Sequence, residues 1–169
     1  NPNNPSGKIN KTEKIISWAQ ENPEKYFLVD ESFIEYSEET SILNKLENKP
    51  ISNLIVLKSL SKSHGIPGIR LGFIYTHNEE IFQKINENIP IWNLNSFAEH
   101  YMEIALKFRN ELSVSFQKAK KDRDYLIKFL NKINYISKVY ESSGSFVSFR
   151  VDNQEISKYL HSYLLKNHN

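Results

Sequence analysis

The sequence predicts an α/β fold, in which a mostly parallel sheet carries helices on both faces and a small α+β segment follows. In the first half of the chain, apolar β-branched runs alternate with helical patterns. Long amphipathic helical patterns and two short strand candidates come afterwards. Because the kind of element changes near residue 110, we expect two structural units, 1–110 and 111–169.

The opening stretch "NPNNPSGK" has turn chemistry, since proline fixes φ and glycine tolerates positive φ. No element precedes this turn, so we interpret the chain as a piece of a longer protein. A helix is predicted at 8–22, where apolar residues recur at helical spacing until Pro23 ends it. The run 26–29 predicts a short buried strand that ends in Asp30.

The next strand is predicted at 54–59, "LIVLKS", whose continuous apolar character is typical of a parallel strand covered on both faces. A third strand is predicted at 71–76. The remaining predicted elements are helices at 38–49, 78–88, 95–109 and 111–133, strands at 137–141 and 145–151, and a closing helix at 153–166.

Composition excludes several classes of function. A net charge of +2 is too small to indicate a nucleic-acid or anionic-membrane partner. No apolar stretch is long enough to span a bilayer. The absence of cysteine excludes disulfides and thiolate metal sites, and the five histidines lack ligand spacing, so no metal site is predicted. Of the histidines, only His64, which is close to Lys62 in the sequence, is expected to lie near the binding site described next.

That candidate site surrounds Lys62, in "SLSKSHGIPGIRLG". The lysine follows a strand end, which is where ligands bind in open α/β sheets. Asp30 ends the other buried strand at the same edge, and a carboxylate there needs a cationic or hydrogen-bonding partner. The hydroxyls beside Lys62 and the nearby Arg70 suit a phosphate. The grouping therefore indicates a binding site rather than a solvated surface lysine.

One alternative uses the same letters. Ser59 and Lys62 match the Ser-x-x-Lys motif of penicillin-binding enzymes, in which both side chains share a helix face. Gly65 and Pro67 leave little room for such a helix, and the companion motifs Ser-Asp-Asn and Lys-Thr-Gly are absent. We therefore disfavour a serine–lysine dyad.

Three stretches, "NPNNPSG", "VDESFIEY" and "SLSKSHGIPGIRLG", resemble the signature segments of fold-type I pyridoxal-phosphate enzymes, the class I/II aminotransferases. The resemblance is greatest to the histidinol-phosphate aminotransferase and threonine-phosphate decarboxylase branch, and it covers the C-terminal half of such a protein. It implies amino transfer between a small amino acid or amine and a 2-oxo acid, by a cytoplasmic homodimer. A decarboxylase of the threonine-phosphate type, or a truncated non-catalytic relative acting through protein interaction, stays open.

The resemblance also implies residue roles. Lys62 would hold the cofactor covalently as a Schiff base and then act as general base and acid. Asp30 would pair with the pyridine nitrogen, and Asn4 would donate to the ring's phenolic oxygen. The cofactor phosphate would be held by Ser59, Ser61 and Arg70. The same resemblance places a glycine-rich phosphate-binding turn and a ring-stacking aromatic residue before residue 1. We therefore expect weak or no cofactor binding by this chain alone.

The family usually carries tyrosine where this chain has Phe33, which cannot donate a hydrogen bond; decarboxylase-like relatives share the phenylalanine. Tyr36, three residues later, is expected to pack. Arg150 aligns with the family arginine that grips the substrate carboxylate, although a solvent-facing strand end is the alternative. Lys138 is the only basic residue one strand earlier, where phosphate-substrate relatives carry another arginine. Trp92 resembles a residue of the decarboxylase branch near the active site or dimer interface, or it packs internally.

Overall fold

A three-stranded sheet carries the first half of the chain in the computed structural model, which describes residues 1–168. Strands β1 (Phe27–Asp30) and β2 (Leu54–Ser59) are parallel, and β3 (Gly72–Thr76) is antiparallel to β2. The α/β prediction is confirmed, but this part of the sheet is mixed rather than mostly parallel. β3 returns beside β2 because the connection begins with a hydrogen bond from Leu60 N to Leu71 O (3.0 Å), as in a hairpin, and contains no long crossover helix.

A second, two-stranded antiparallel sheet and a set of helices complete the described residues. The small sheet pairs β4 (Lys138–Val139) with β5 (Phe149–Arg150), so the two longer predicted strands contribute only two residues each. The helices are α1 (Thr12–Glu21), α2 (Leu43–Leu46), α3 (Leu60–Ser63), α4 (Glu79–Glu87), α5 (Ser96–Ala105), α6 (Arg109–Leu130) and α7 (Gln154–Asn167). Short 3₁₀ turns lie at Ile34–Tyr36, Pro67–Ile69 and Leu106–Phe108.

Two helix predictions were too long. The helix expected at 8–22 begins only at Thr12, because the preceding residues close a loop on themselves: Asn3 N donates to Lys8 O at 2.8 Å. The helix expected at 38–49 shortens to the single turn α2, whose start is held by the Glu31 carboxylate rather than by a preceding turn of helix. In both places tertiary hydrogen bonds override the local helical pattern.

The main core lies on one face of the three-stranded sheet, under α1 and α2. Leu54 and Val56 of β2 are fully buried there, whereas the alternate residues Ile55 and Leu57 are half-buried on the other face. We expected both faces of β2 to be buried, but within residues 1–168 only one face is fully buried. The buried cluster consists of Ile15, Ala19, Ile42, Leu46, Leu54 and Val56.

Buried Asn53 joins α1 to the start of the sheet. Its side-chain nitrogen donates to the carbonyls of Ala19 (2.9 Å), Asn22 (3.1 Å) and Lys25 (2.9 Å). These carbonyls belong to the end of α1 and to the turn that leads into β1, and α1 itself cannot satisfy the carbonyls at its end. One amide group therefore sets where α1 stops and where β1 begins.

Two carboxylates from the segment that follows β1 are buried. Glu31 is fully inaccessible, and it accepts hydrogen bonds from the Ile42 amide (2.8 Å) and the Ser41 hydroxyl. Glu35 forms an ion pair with Lys58 of β2; the two side chains are 19% and 12% exposed. Buried charges are costly unless paired or hydrogen-bonded, so these contacts fix the segment against α2 and β2.

The N-terminal turn packs against the segment between β4 and β5. Ser143 N donates to Gly7 O at 2.8 Å, and Gly7 has a φ of +69°. A Cβ at this position would overlap the Ser142 side chain, so glycine is required for conformation and space. The expected division between 110 and 111 falls within the first turn of α6. Among residues 1–168, no helix combines the length and apolar character that crossing a bilayer requires.

Replacing Asn53 with alanine should lower the free energy of unfolding by about 2 kcal/mol, because the carbonyls of Ala19, Asn22 and Lys25 lose their donor. Urea denaturation of the variant and the parent measures this difference. Asn44→Ala is the matched control, since Asn44 is exposed on α2 and should change stability by less than about 0.5 kcal/mol. Equal effects of the two substitutions would contradict the role given to Asn53.

Replacing Lys58 with methionine should destabilise the fold by about 3 kcal/mol, because it leaves the Glu35 carboxylate buried without its cation. The double variant Lys58→Met/Glu35→Leu removes both charges and should recover most of that loss. Thermal or urea unfolding of both variants measures the coupling. If the double variant is no more stable than Lys58→Met, the ion pair does not account for the effect.

Candidate active site

An open groove of about 620 Å³ begins at the carboxyl ends of β1 and β2 and continues along β3 to α4. Most of its polar lining comes from the strand ends and the segment after β2: Asp30, Ser32, Lys58, Ser59, Ser61 and Arg70. Its apolar wall includes Leu57, Leu71, Phe73, Ile74, Phe82, Ile85 and Ile89. The groove therefore combines a broad apolar surface with a few convergent polar groups, as ligand sites do.

The register of the parallel strands places Asp30 opposite Leu57, at the end of the ladder. One carboxylate oxygen of Asp30 accepts a hydrogen bond from Ser32 N at 2.8 Å, and the other accepts none from residues 1–168. Ser32 in turn accepts a hydrogen bond from Ser59 N at 3.0 Å through its hydroxyl oxygen. The end of β1 is thus joined to the end of β2, and one oxygen of Asp30 remains available for a donor.

Arg70 reaches the same groove from an unusual backbone conformation. Its φ of 54° and ψ of 50° lie in the left-handed region, which side-chain-bearing residues rarely occupy. The guanidinium donates to Pro67 O at 3.2 Å and makes no ion pair with the described residues. Together with the hydroxyls of Ser59 and Ser61, it supplies the forked charge and small donors that bind a phosphate.

Lys62 lies on α3, a single helical turn where we expected a loop. Its side chain is exposed beside Ser61, without forming part of the groove wall, and it has no hydrogen bond or ion pair within residues 1–168. Ser59 precedes the turn in an extended conformation, with φ −93° and ψ 117°. Ser59 and Lys62 therefore do not share a helix face, which argues against the serine–lysine dyad.

Besides Lys62, which is adjacent to the groove, two further residues of the predicted site lie outside it. Asn4 is exposed on the N-terminal turn. Arg150 lies on β5, where its Nε contacts Asp152 Oδ1 at 2.8 Å and Ser137 Oγ at 3.3 Å. The structure therefore brings Asp30, Ser59, Ser61 and Arg70 together with Lys62 adjacent, and it leaves Asn4 and Arg150 elsewhere.

His64 and Phe33 both pack rather than line the groove. A ring nitrogen of His64 lies 2.8 Å from the Tyr101 hydroxyl, on the side facing α5. Burial lowers the pKa of His64 below its ordinary value, with Glu35 opposing the shift and Lys58 adding to it. Phe33 packs edge-on against Phe146, with ring centres 5.3 Å apart. In the described residues, no group of three or more metal-ligating side chains is close enough to hold a metal ion.

Trp92 is 91% exposed and has a φ of 64°, so it does not pack within this chain. Ile91 and Phe97 near it are exposed as well. The internal-packing alternative for Trp92 is therefore wrong for residues 1–168.

Three residues near the site were not identified from the sequence as part of it. Ser32 and Lys58 line the groove. Tyr36 was expected only to pack, yet its hydroxyl also lies 3.2 Å from Lys62 O. Only Ser32 carried a usable signal, because a serine two residues after a strand-ending aspartate is typical of a turn that orients the carboxylate.

Comparisons with known proteins place this chain in a family. The sequence matches the family model described as aminotransferase class I and II over residues 1–169. The chain is 38% identical over 147 residues to a histidinol-phosphate aminotransferase of Clostridium novyi, covering 87% of this chain and 40% of that protein.

Solved structures agree with the fold. The histidinol-phosphate aminotransferase of Clostridium acetobutylicum has a TM-score of 0.87 and 34% identity, and the match covers 99% of this chain and 51% of that chain. The L-threonine-O-3-phosphate decarboxylase of Porphyromonas gingivalis has a TM-score of 0.86, with coverage of 100% and 51%; at 24% identity it shows likeness of fold alone. The chain thus spans 40% to 51% of the length of these relatives. Because the family match extends over the whole chain, the chain belongs to the class I and II aminotransferases, a family whose cofactor is pyridoxal phosphate.

Proposed function

We propose that the protein is a pyridoxal-phosphate-dependent aminotransferase that moves an amino group between a small amino acid or amine and a 2-oxo acid. The observation that carries the proposal is the groove in which Asp30, Ser59, Ser61 and Arg70 meet beside Lys62. The groove combines a carboxylate with hydroxyls and a guanidinium, and these groups match the charges of this cofactor.

The residues present fit the phosphate. Ser59 and Ser61 offer hydroxyls, and Arg70 offers a forked cation without a carboxylate partner in the described residues. Gly72 allows β3 to approach β2 closely beside these groups, because a Cβ on Gly72 would lie 2.8 Å from Lys58 O. We infer that these groups bind the phosphate and fix the register of the cofactor in the groove.

Asp30 and Lys62 take the chemical roles. When bound, the cofactor supplies an electron sink for charge that develops at the amino-bearing carbon of the substrate. Asp30 holds a proton on the pyridine nitrogen with its free oxygen, while Ser32 N orients the carboxylate. Lys62 would hold the cofactor through its aldehyde group, and its amine would move the proton at the amino-bearing carbon of the substrate.

The remaining expected contacts are part of the same proposal. Asn4 donates to the phenolic oxygen of the cofactor, and Arg150 grips the substrate carboxylate. Both roles require a rearrangement or further protein, since Arg150 contacts Asp152 here. Residues 1–110 belong to the cofactor-binding domain and 111–169 to a small domain. We further propose a cytoplasmic homodimer, in which the exposed Trp92 contributes to the interface.

A second candidate is a decarboxylase acting on a threonine-phosphate-like amino acid. Phe33 favours it, because this side chain packs against Phe146 and cannot donate to the cofactor ring. The two reactions would use the same site and differ in their products. Amino transfer gives a keto acid, and decarboxylation gives carbon dioxide. A third reading, a non-catalytic relative, predicts neither product.

Lys62 should carry the cofactor covalently. We expect the whole protein, mixed with pyridoxal phosphate and reduced with borohydride, to yield a pyridoxyl group on Lys62 by peptide mass spectrometry. Lys62→Arg should abolish that modified peptide, since an arginine side chain cannot form the bond.

Lys49→Arg is the matched control for this experiment, because Lys49 is exposed and lies away from the groove. It should leave the modification at Lys62 unchanged. An unmodified Lys62 in the whole parent protein would contradict the proposed function. If Lys62 is modified, assays for a keto acid and for carbon dioxide then separate the two reactions.

Arg70 should recognise the phosphate and nothing else of the cofactor. Arg70→Gln should weaken pyridoxal phosphate binding by about 10- to 100-fold, because hydrogen bonds to charged groups contribute about 1.5–3 kcal/mol. Binding of pyridoxal, which lacks the phosphate, should not change. Equilibrium absorbance titration of the whole protein measures both constants.

Arg109→Gln serves as the control for Arg70, since Arg109 is exposed at the start of α6 and does not line the groove. It should alter neither affinity. If Arg70→Gln weakened pyridoxal and pyridoxal phosphate equally, Arg70 would act on the fold rather than on the phosphate.

A further inference from the structure

We propose that Tyr36 is a positioning residue for Lys62, whose hydroxyl holds the end of the α3 turn and connects that turn to α6. The inference rests on the proposed function, because it assigns to Tyr36 the task of placing the cofactor-binding lysine. Tyr36 itself touches neither the groove wall nor any reacting group.

The α3 turn cannot hold itself in place. It contains only four residues, and a helix leaves its last four carbonyls without helical partners. The Tyr36 hydroxyl supplies a donor at that end, 3.2 Å from Lys62 O and 3.4 Å from Ser63 O. A phenol has one hydrogen, so the two carbonyls share it.

Backbone hydrogen bonds secure the turn, but within residues 1–168 none of them reaches the carbonyls of Lys62 and Ser63. Leu60 N donates to Leu71 O at 3.0 Å, and His64 N closes the turn on Leu60 O at 2.9 Å. Both of these bonds involve the backbone of Leu60. Tyr36 therefore provides the side-chain contact that restrains the backbone of Lys62 itself.

Tyr36 is in turn fixed by α6. Its ring packs edge-on against Phe116, with ring centres 5.6 Å apart, and its own carbonyl accepts a hydrogen bond from Arg123 Nη1 at 2.8 Å. The same Arg123 nitrogen lies 3.3 Å from Gly144 O. A displacement of α6 or of the β4–β5 connection would consequently change the contact between Tyr36 and the carbonyl of Lys62.

The hydroxyl remains a donor under ordinary conditions. Burial raises the pKa of Tyr36 above its ordinary value, and the neighbouring Glu35 raises it further. A raised pKa keeps the phenol protonated as the pH increases. Tyr36 is almost fully buried, so water cannot readily replace the contact with Lys62.

Hydrogen exchange in the cofactor-free whole protein tests the proposal without relying on catalysis. Tyr36→Phe keeps the ring against Phe116 and removes only the hydroxyl. We expect the His64 amide, which closes the turn, to exchange about three- to tenfold faster in this variant, while the β2 amides are unchanged. Tyr75→Phe is the control, because Tyr75 is half-buried on β3 and its hydroxyl bonds to none of the described residues; it should leave His64 unaffected.

The connection to α6 has its own test. Arg123→Lys should speed exchange at His64 in the parent protein. It should add nothing further in the Tyr36→Phe background, because the relay from Arg123 through Tyr36 to the Lys62 carbonyl is already broken there. In the loaded enzyme, Tyr36→Phe should lower kcat about tenfold and leave KM for the amino donor unchanged, since only the placement of Lys62 is affected.

Unchanged exchange at His64 in Tyr36→Phe would overturn the proposal, and so would an equal acceleration throughout β2, which would indicate general destabilisation. A full effect of Arg123→Lys in the Tyr36→Phe background would disprove the relay. These results are independent of borohydride trapping at Lys62. Failure of the positioning role can therefore be told apart from failure of the proposed function.

Discussion

Asp30 and Leu57 face each other at the end of the parallel β1–β2 ladder, and this register decides which side chains reach the groove. Alternate strand residues point to opposite faces, so a slip of one residue would turn Asp30 away and expose the buried face of β2. Asn53 fixes the register from one end by holding α1 and the start of β1 together. The Ser32–Ser59 hydrogen bond fixes it from the other end. The proposed chemistry depends on this pairing.

The segment "DESFIEY" serves both structure and the proposed chemistry. Asp30 faces the groove, whereas Glu31 and Glu35 are directed into the interior, toward α2 and β2. Tyr36 closes the segment by reaching the lysine turn. A short stretch of mostly polar residues is therefore packed almost as tightly as an apolar core. Glu31, Glu35 and Ser32 contact different partners, so exchanging similar residues within the segment would break these contacts.

The strands, the longer helices and the grouping of Asp30, Ser59, Ser61 and Arg70 could be predicted from the sequence, because apolar runs and turn residues are local signals. Contacts between residues far apart in the chain could not be predicted from it. The pairing of Lys58 with Glu35, and the reach of Tyr36 to Lys62, join ordinary residue types that carry no local pattern. The antiparallel return of β3 was missed for a related reason: strand direction depends on how the intervening segment folds back.

Arg70 combines a strained backbone with a charged side chain at the same position. Left-handed φ at a residue other than glycine costs on the order of 1 kcal/mol, and glycine would remove that cost. Glycine would also remove the guanidinium that faces the groove. If Arg70 binds the cofactor phosphate as proposed, selection for thermal stability and selection for cofactor retention favour different residues at this position. On the same proposal, increasing the heat resistance of the protein by relaxing this loop would weaken cofactor binding.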